Sequence, residues 1–250
     1  MTNRLKLSYR WALTVLLLHF VVVFPTRAFG EMDEARKGMV RDQIAARGVK
    51  NPQVLEAIQH VERHKFVPAD LRSLAYMDGP LPIGEDQTIS QPYIVALMTE
   101  LLSVKAHDRV LEVGTGSGYQ AAILGEMAEE VYTIEIIPSL ADRAAKRQRE
   151  LGYKNVFVRT GDGYLGWPEK APFDGIMVTA APDDIPRPLL DQLKVGGRMV
   201  IPVGNYPDQI LYVIRKTEKG IEKKEVIPVR FVPMTGKAQK ANLVDPVRNP

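Results

Sequence analysis

Between residues 108 and 203 the chain alternates short apolar runs with stretches of helical spacing, and few architectures accommodate that order. The runs fall at 109–113, 131–136, 156–159, 175–179 and 198–203, and the helical stretches between them include 119–128 and 138–151. Strands and helices in alternation are the mark of a parallel sheet with crossover helices. The expectation is therefore one α/β domain, doubly wound, with a mostly parallel sheet and helices on both faces. Two further strands, at 209–216 and 225–232, are expected to close it as an antiparallel pair.

Upstream, residues 33–47 have helical apolar spacing (Met39, Val40, Ile44) that stops at Gly48. Asn51-Pro52 opens a second helix with a cap residue followed by a first-turn proline, and Val54, Leu55, Ile58 and Val61 form its apolar stripe. A long connection rich in Gly, Pro and Asp follows at 67–90. Such lengths usually serve as lids or binding loops, and 75–90 is the candidate lid. Helical spacing resumes at Pro92 and runs through Val95, Met98 and Leu102.

The first 30 residues have a different character. Arg4, Lys6 and Arg10 precede an apolar run from Trp11 to Phe24; Pro25 breaks it, and Thr26-Arg27-Ala28 offers a loose cleavage site. That is the pattern of a secretory signal or an anchor, with a start at Met32 or Met39 as the alternative. The leader holds four bases and no acid, so without it 29 basic residues face 30 acidic ones. The basic excess belongs to the leader, and nucleic acid is not expected as a partner. The boundaries expected are a leader at 1–30, a domain with an N-terminal helical cap at 31–236, and a loose tail at 237–250. Cysteine is absent, which excludes disulfides, thiolate metal sites and a cysteine nucleophile; no metal is expected.

The most informative local signal is the run Glu112-Val113-Gly114-Thr115-Gly116-Ser117-Gly118-Tyr119. An apolar strand enters glycines at every second position, and a helix follows. Glycine lets backbone approach a ligand closely, and the crevice beyond a strand's carboxyl end is where open α/β sheets bind ligands. A dinucleotide fingerprint needs its third glycine where Tyr119 stands. An acid ahead of the loop suits a ligand carrying ammonium and sulfonium charge better than a diphosphate. A nucleotide site or a purely structural turn are the other readings. Glu135, near the end of the second strand, can accept hydrogen bonds from ribose hydroxyls or remain a solvated strand-end charge. Gly161-Asp162-Gly163 after the third strand is equally a good β-turn.

The E-x-G-x-G-x-G form resembles the first motif of class I methyltransferases, whose Rossmann-like fold binds S-adenosylmethionine. That resemblance implies a loop, Gly114 to Gly118 with Thr115 and Ser117, holding the methionine moiety beside Glu112. It also implies that Asp162 and Gly163 recognise the adenine. The stretch 173–182 ends in small neutral residues, where amino-methylating enzymes of nucleic acids carry a polar Pro-Pro-aromatic element; this points to an acceptor that is already an anion. Asp86-Gln87-Thr88-Ile89-Ser90-Gln91-Pro92 is similar to the active-site segment of the isoaspartate methyltransferases. Arg63-His64-Lys65-Phe66-Val67-Pro68, Leu193-Lys194-Val195-Gly196-Gly197-Arg198 and Val229-Arg230-Phe231-Val232-Pro233-Met234-Thr235-Gly236 match further segments. The likeness runs in order from about Met39 to Gly236, and the leader is foreign to it.

The resemblance implies methyl transfer to the α-carboxylate of L-isoaspartyl residues in damaged proteins and peptides. A small metabolite or another protein carboxylate is the alternative acceptor, and a tethered binding protein on a decayed fold the alternative class. A carboxyl group titrating near 4 is already ionised, so no general base is required and His60, His64 and His107 are expected to be structural. Ser90 is the candidate catalytic and substrate-binding hydroxyl, a placement that also suits a helix N-cap. Val232 and its neighbours are expected to offer backbone groups to the peptide. A monomer is expected, with membrane contact only through the leader. The leader points to export but the cofactor is made in the cytosol, so the expected location is cytoplasmic.

Overall fold

The computed structural model describes residues 24–239; most of the leader and of the tail lies outside the described residues. The helix α1 (Phe24–Gly38) has Pro25 in its first turn, so that proline opens a helix where the sequence suggested an ending. It runs on through a π-helical turn (Met39–Ile44) and a 3-10 turn (Ala45–Arg47) to Gly48, whose φ of +97° ends it. In α2 (Pro52–His60) the Asn51 side chain accepts from the Gln53 N–H at 2.9 Å, the cap that the sequence implied.

The connection after α2 is not plain loop. Short 3-10 turns (Arg63–Phe66, Ala69–Leu74) lead to an antiparallel hairpin of β1 (Leu81–Gly84) and β2 (Gln87–Ile89). Its turn residues Glu85 and Asp86 both have positive φ, as a tight hairpin requires. The helix α3 (Pro92–Leu102) follows.

The main sheet is built from β3 (Arg109–Val113), β4 (Glu130–Glu135), β5 (Val156–Thr160), β6 (Phe173–Val178), β7 (Leu193–Val203), β8 (Gln209–Thr217) and β9 (Gly220–Val229). Its order is β5-β4-β3-β6-β7-β8-β9, parallel from β5 to β7 and antiparallel for the last two. The helices α4 (Tyr119–Gly125) and α5 (Pro138–Glu150) carry the crossovers on one side, and α6 (Arg187–Gln192) joins β6 to β7. Strand order reverses at β3, whose neighbours β4 and β6 are reached in opposite directions, so a crevice opens at their carboxyl ends.

Successive strand residues point to opposite faces, and the two cores separate accordingly. Leu111, Ile176 and Met199 pack with Leu189 of α6; Val110, Met177 and Val200 pack with Met98 of α3 and Leu124 of α4. The N-terminal helices cover the outer side of α4, where Tyr119 and Ile123 meet Ile44, Val54 and Ile58. That makes α4 buried all round, as its apolar sequence demands.

One strand differs from expectation. The run at 225–232 is not strand to its end, because β9 stops at Val229, opposite Gln209, the first residue of β8. With no partner beyond, the chain leaves the sheet edge and crosses its carboxyl rim. There the Ala181 N–H donates to the Val232 carbonyl at 2.8 Å and the Met234 N–H to the Ala181 carbonyl at 2.7 Å.

Candidate active site

A cleft lies in the crevice that the strand order creates. Its floor is the loop after β3 (Gly114, Thr115, Gly116, Ser117); Glu135 closes one end, Thr179 and Ala180 the other. The hairpin segment Gln87 to Ser90 forms one wall, and the strap Val232 to Thr235 the facing one.

Close backbone packing explains the floor. Gly114 has φ +99°, and a Cβ there would sit 2.4 Å from the Thr179 hydroxyl oxygen, which accepts no such neighbour because it donates to the Gly114 carbonyl at 2.6 Å. Gly116, at φ +51°, lies under Ile83 of the hairpin, which is why the hairpin and the loop close on each other. The hairpin is tied down from α5: Arg143 donates to the Ile83 carbonyl and Ser139 to the Glu85 carboxylate.

Glu135 is 5% exposed, and its carboxylate accepts from the Gly116 N–H at 2.8 Å and the Ile137 N–H at 3.0 Å. An ionised carboxylate has roughly four acceptor positions, so two amides orient it and leave capacity for two hydroxyls. Among the described residues no Lys, Arg or His lines the cleft, and the one charged residue in its wall is this acid. That lining disfavours phosphates and suits a neutral or cationic nucleoside.

Ser90 stands in the wall, half-buried. It is not a helix cap: the N-cap of α3 is Gln91, and no side chain bonds the first turn. The Ser90 hydroxyl has no hydrogen-bond partner among the described residues, so its donor is free to meet a ligand in the cleft. Val232 and Gly163 also reach the wall.

Three expected contacts do not reach it. Glu112 is fully buried below the floor, because its side chain shares the face of Val110, which packs on α3 and α4. Thr133 donates to one Glu112 oxygen at 2.5 Å and Thr115 stands at 2.5 Å from Thr133, while the other carboxylate oxygen has no partner. Burial, aided by nearby Glu135, pushes the Glu112 carboxyl up to about 8. Gly118 turns away from the cleft against α5, where Gln148 donates to its carbonyl. Asp162 caps a 3-10 turn, accepting from the Tyr164 N–H at 3.0 Å, and its second oxygen accepts from the Lys237 N–H at 2.8 Å.

Sequence reasoning missed several wall residues. Thr88, Thr179 and Thr235 bring hydroxyls, and Gln120 brings an amide held by the Thr99 hydroxyl at 3.0 Å. Thr88 and Thr235 stand in segments that the sequence singled out without giving them a role, and Gln120 is a polar residue within an otherwise apolar helix run. His64 is structural, bonded to the Tyr76 hydroxyl at 2.7 Å, and burial lowers its pKa.

The family model for protein-L-isoaspartate(D-aspartate) O-methyltransferase matches residues 34–239. A protein-L-isoaspartate O-methyltransferase of Picosynechococcus sp. is 57% identical over 201 residues, covering 80% of this chain and 90% of its own. Another such enzyme, from Nitrosospira multiformis, is 55% identical over 224 residues, covering 88% and 94%. A solved structure from Plasmodium falciparum, assigned to the same family and in complex with S-adenosyl-L-homocysteine, superposes with a TM-score of 0.70 at 26% identity, covering 80% of this chain and 98% of that one.

Proposed function

Because the chain belongs to the protein-L-isoaspartate(D-aspartate) O-methyltransferase family, we propose that the cleft houses that family's reaction, with a cofactor side and an acceptor side. The protein is an S-adenosylmethionine-dependent enzyme that methylates isoaspartyl residues in damaged proteins, its substrates being isoaspartyl-containing proteins and peptides. The small-metabolite alternative falls with that assignment.

S-adenosylmethionine, when bound, supplies a methyl group on a sulfonium centre. The lining fits it: a glycine floor that a Cβ would fill, one oriented carboxylate and no cation. On this reading Gly114, Thr115, Gly116 and Ser117 hold the amino-acid end, Glu135 the ribose, and Gly163 the base. Glu112 acts from below through Thr133 and Thr115, and Asp162 contributes by shaping the turn that presents Gly163.

The acceptor carboxylate is ionised at neutral pH, so the protein needs no base and offers none. The task left to its side chains is orientation, which can lower a barrier by about 7–11 kcal/mol in favourable systems. Ser90 donates its free hydroxyl to the acceptor carboxylate, the strap positions the peptide, and the hairpin limits water. The unused Ser90 donor in the cleft wall is the observation that carries this reading.

The test is to separate binding from turnover in Ser90→Ala. A hydrogen bond to a charged group predicts loss of kcat/KM on the order of 10- to 100-fold, with S-adenosylhomocysteine affinity unchanged. Wild-type turnover in that variant would remove Ser90 from the mechanism. We place the enzyme in the cytoplasm, since its methyl donor is made there; fractionated native cells should show the activity in the soluble portion, and recovery only from washed membranes would contradict this.

A further inference from the structure

The strap that faces Ser90 across the cleft is held by a side chain far from it in sequence. Where the β8–β9 ladder ends, at the pair Gln209 and Val229, the backbone of β8 has no further partner to offer. The Gln209 carboxamide takes over. Its oxygen accepts from the Phe231 N–H at 2.6 Å, and its Nε2 donates to the Phe231 carbonyl at 3.1 Å. Gln209 is 2% exposed, so its carboxamide is held within the fold, against a half-buried Phe231.

A primary amide presenting one donor and one acceptor to a single residue reproduces what an antiparallel strand would present there. The next residue is held from the opposite side, the Val232 carbonyl accepting from Ala181. Successive peptide groups in extended chain point in opposite directions, so these two attachments together set the strap's rotation about its own axis. The backbone from Val232 to Thr235, which lines the cleft, inherits that rotation.

We infer that Gln209 is a positioning residue for the acceptor: by gripping both polar groups of Phe231 it fixes the strap edge against which the isoaspartyl peptide is laid. This rests on the division of the cleft into cofactor and acceptor sides given above. Gln209 bonds none of the floor residues, and its effect is confined to the acceptor side. A residue that merely sealed the end of the sheet would, on removal, loosen both sides together.

The experiment is steady-state kinetics with an isoaspartyl peptide, paired with calorimetry of S-adenosylhomocysteine, on the full chain. Gln209→Met keeps the length and removes both polar atoms. Losing two net hydrogen bonds predicts a peptide KM raised about tenfold, with S-adenosylhomocysteine affinity held within about twofold. Gln209→Asn, which keeps the carboxamide but is one methylene too short to grip both Phe231 groups, should fall between wild type and Gln209→Met, and serves if the latter does not fold. In the unaltered protein, peptide added on top of S-adenosylhomocysteine should slow hydrogen exchange of the Val232 and Thr235 amides. An unchanged peptide KM in a folded variant, an equal fall in S-adenosylhomocysteine affinity, or strap amides indifferent to peptide would each overturn the assignment. Ser90→Ala reports separately: if it keeps its predicted loss while Gln209 variants behave as wild type, only the role of Gln209 is lost.

Discussion

Glu112 and Glu135 are both acids at the carboxyl ends of adjacent strands, yet they ended in different places. Depth along the strand decides it. Glu112 pairs with Thr133, and Glu135 lies two residues further on, so both side chains take the same face of the sheet. Glu135 is the last residue of β4 and stands at the rim, whereas Glu112, one residue before the end of β3, sits one pleat deeper, in the core that Val110 joins. Sequence showed an acid near each strand end but not how deep it would sit. The consequence is measurable. An unfolded glutamate titrates near 4.5, and in the fold burial raises this one to about 8, so the native state holds a proton that the unfolded chain releases between those values. The stability this group contributes is full below about pH 4.5 and is lost as pH rises toward 8. Glu112→Gln removes the titration, so wild type should lose stability relative to the variant as pH climbs, by at most about 1.4 kcal/mol per pH unit, and the gap should level off above pH 8. Thermal melts of both proteins from pH 5 to 9 check this; a constant difference across that range would mean that Glu112 is ionised in the fold. Asp162 was legible as a turn residue but not as the anchor of Lys237, because that bond closes a loop of 75 residues and leaves no local trace.

Among the elements, the strands and helices of the sheet were readable because each buries its own period. The β3 run was found at its observed bounds and β4, β5, β6 and β8 within about two residues of theirs, whereas β7 begins at Leu193, ahead of the expected 198. The two elements that shape the acceptor side were not. The hairpin of β1 and β2 hides in a stretch rich in Gly, Pro and Asp, and its turn uses Glu85 and Asp86 where Asn-Gly would be the usual signal. Those two residues adopt a left-handed backbone that costs roughly 1–2 kcal/mol each, offset here by the bonds from Ser139 to Glu85 and by burial of Ile83 and Ile89. The strap was read as the end of a strand because Val229, Phe231 and Val232 keep an apolar pattern. What lifts it from the sheet is the length of β8, a property of its partner and not of its own residues.

At the scale of the whole molecule, the switch point of the sheet creates a crevice, and distant segments furnish it. The cofactor side comes from the contiguous loops after β3, β4 and β5, which is why its motifs could be read in order along the chain. The acceptor side is assembled from the hairpin, separated from β3 by the whole of α3, and the strap, which follows β9 and completes the fold. Helix α2 supports this from behind by packing on α4, and the π-helical turn after α1 shares its core, so the N-terminal cap backs the glycine floor without reaching it. One arrangement underlies the chemistry: methyl donor on the floor between Gly114 and Glu135, and isoaspartyl carboxylate beside Ser90. The most direct measurement is a crystal structure of the protein with S-adenosylhomocysteine and an isoaspartyl peptide bound together. It should show the homocysteine sulfur over the glycine loop, the ribose on Glu135, and a peptide carboxylate oxygen within hydrogen-bond distance of the Ser90 hydroxyl. A peptide bound elsewhere, or a Ser90 hydroxyl turned from the carboxylate, would contradict it.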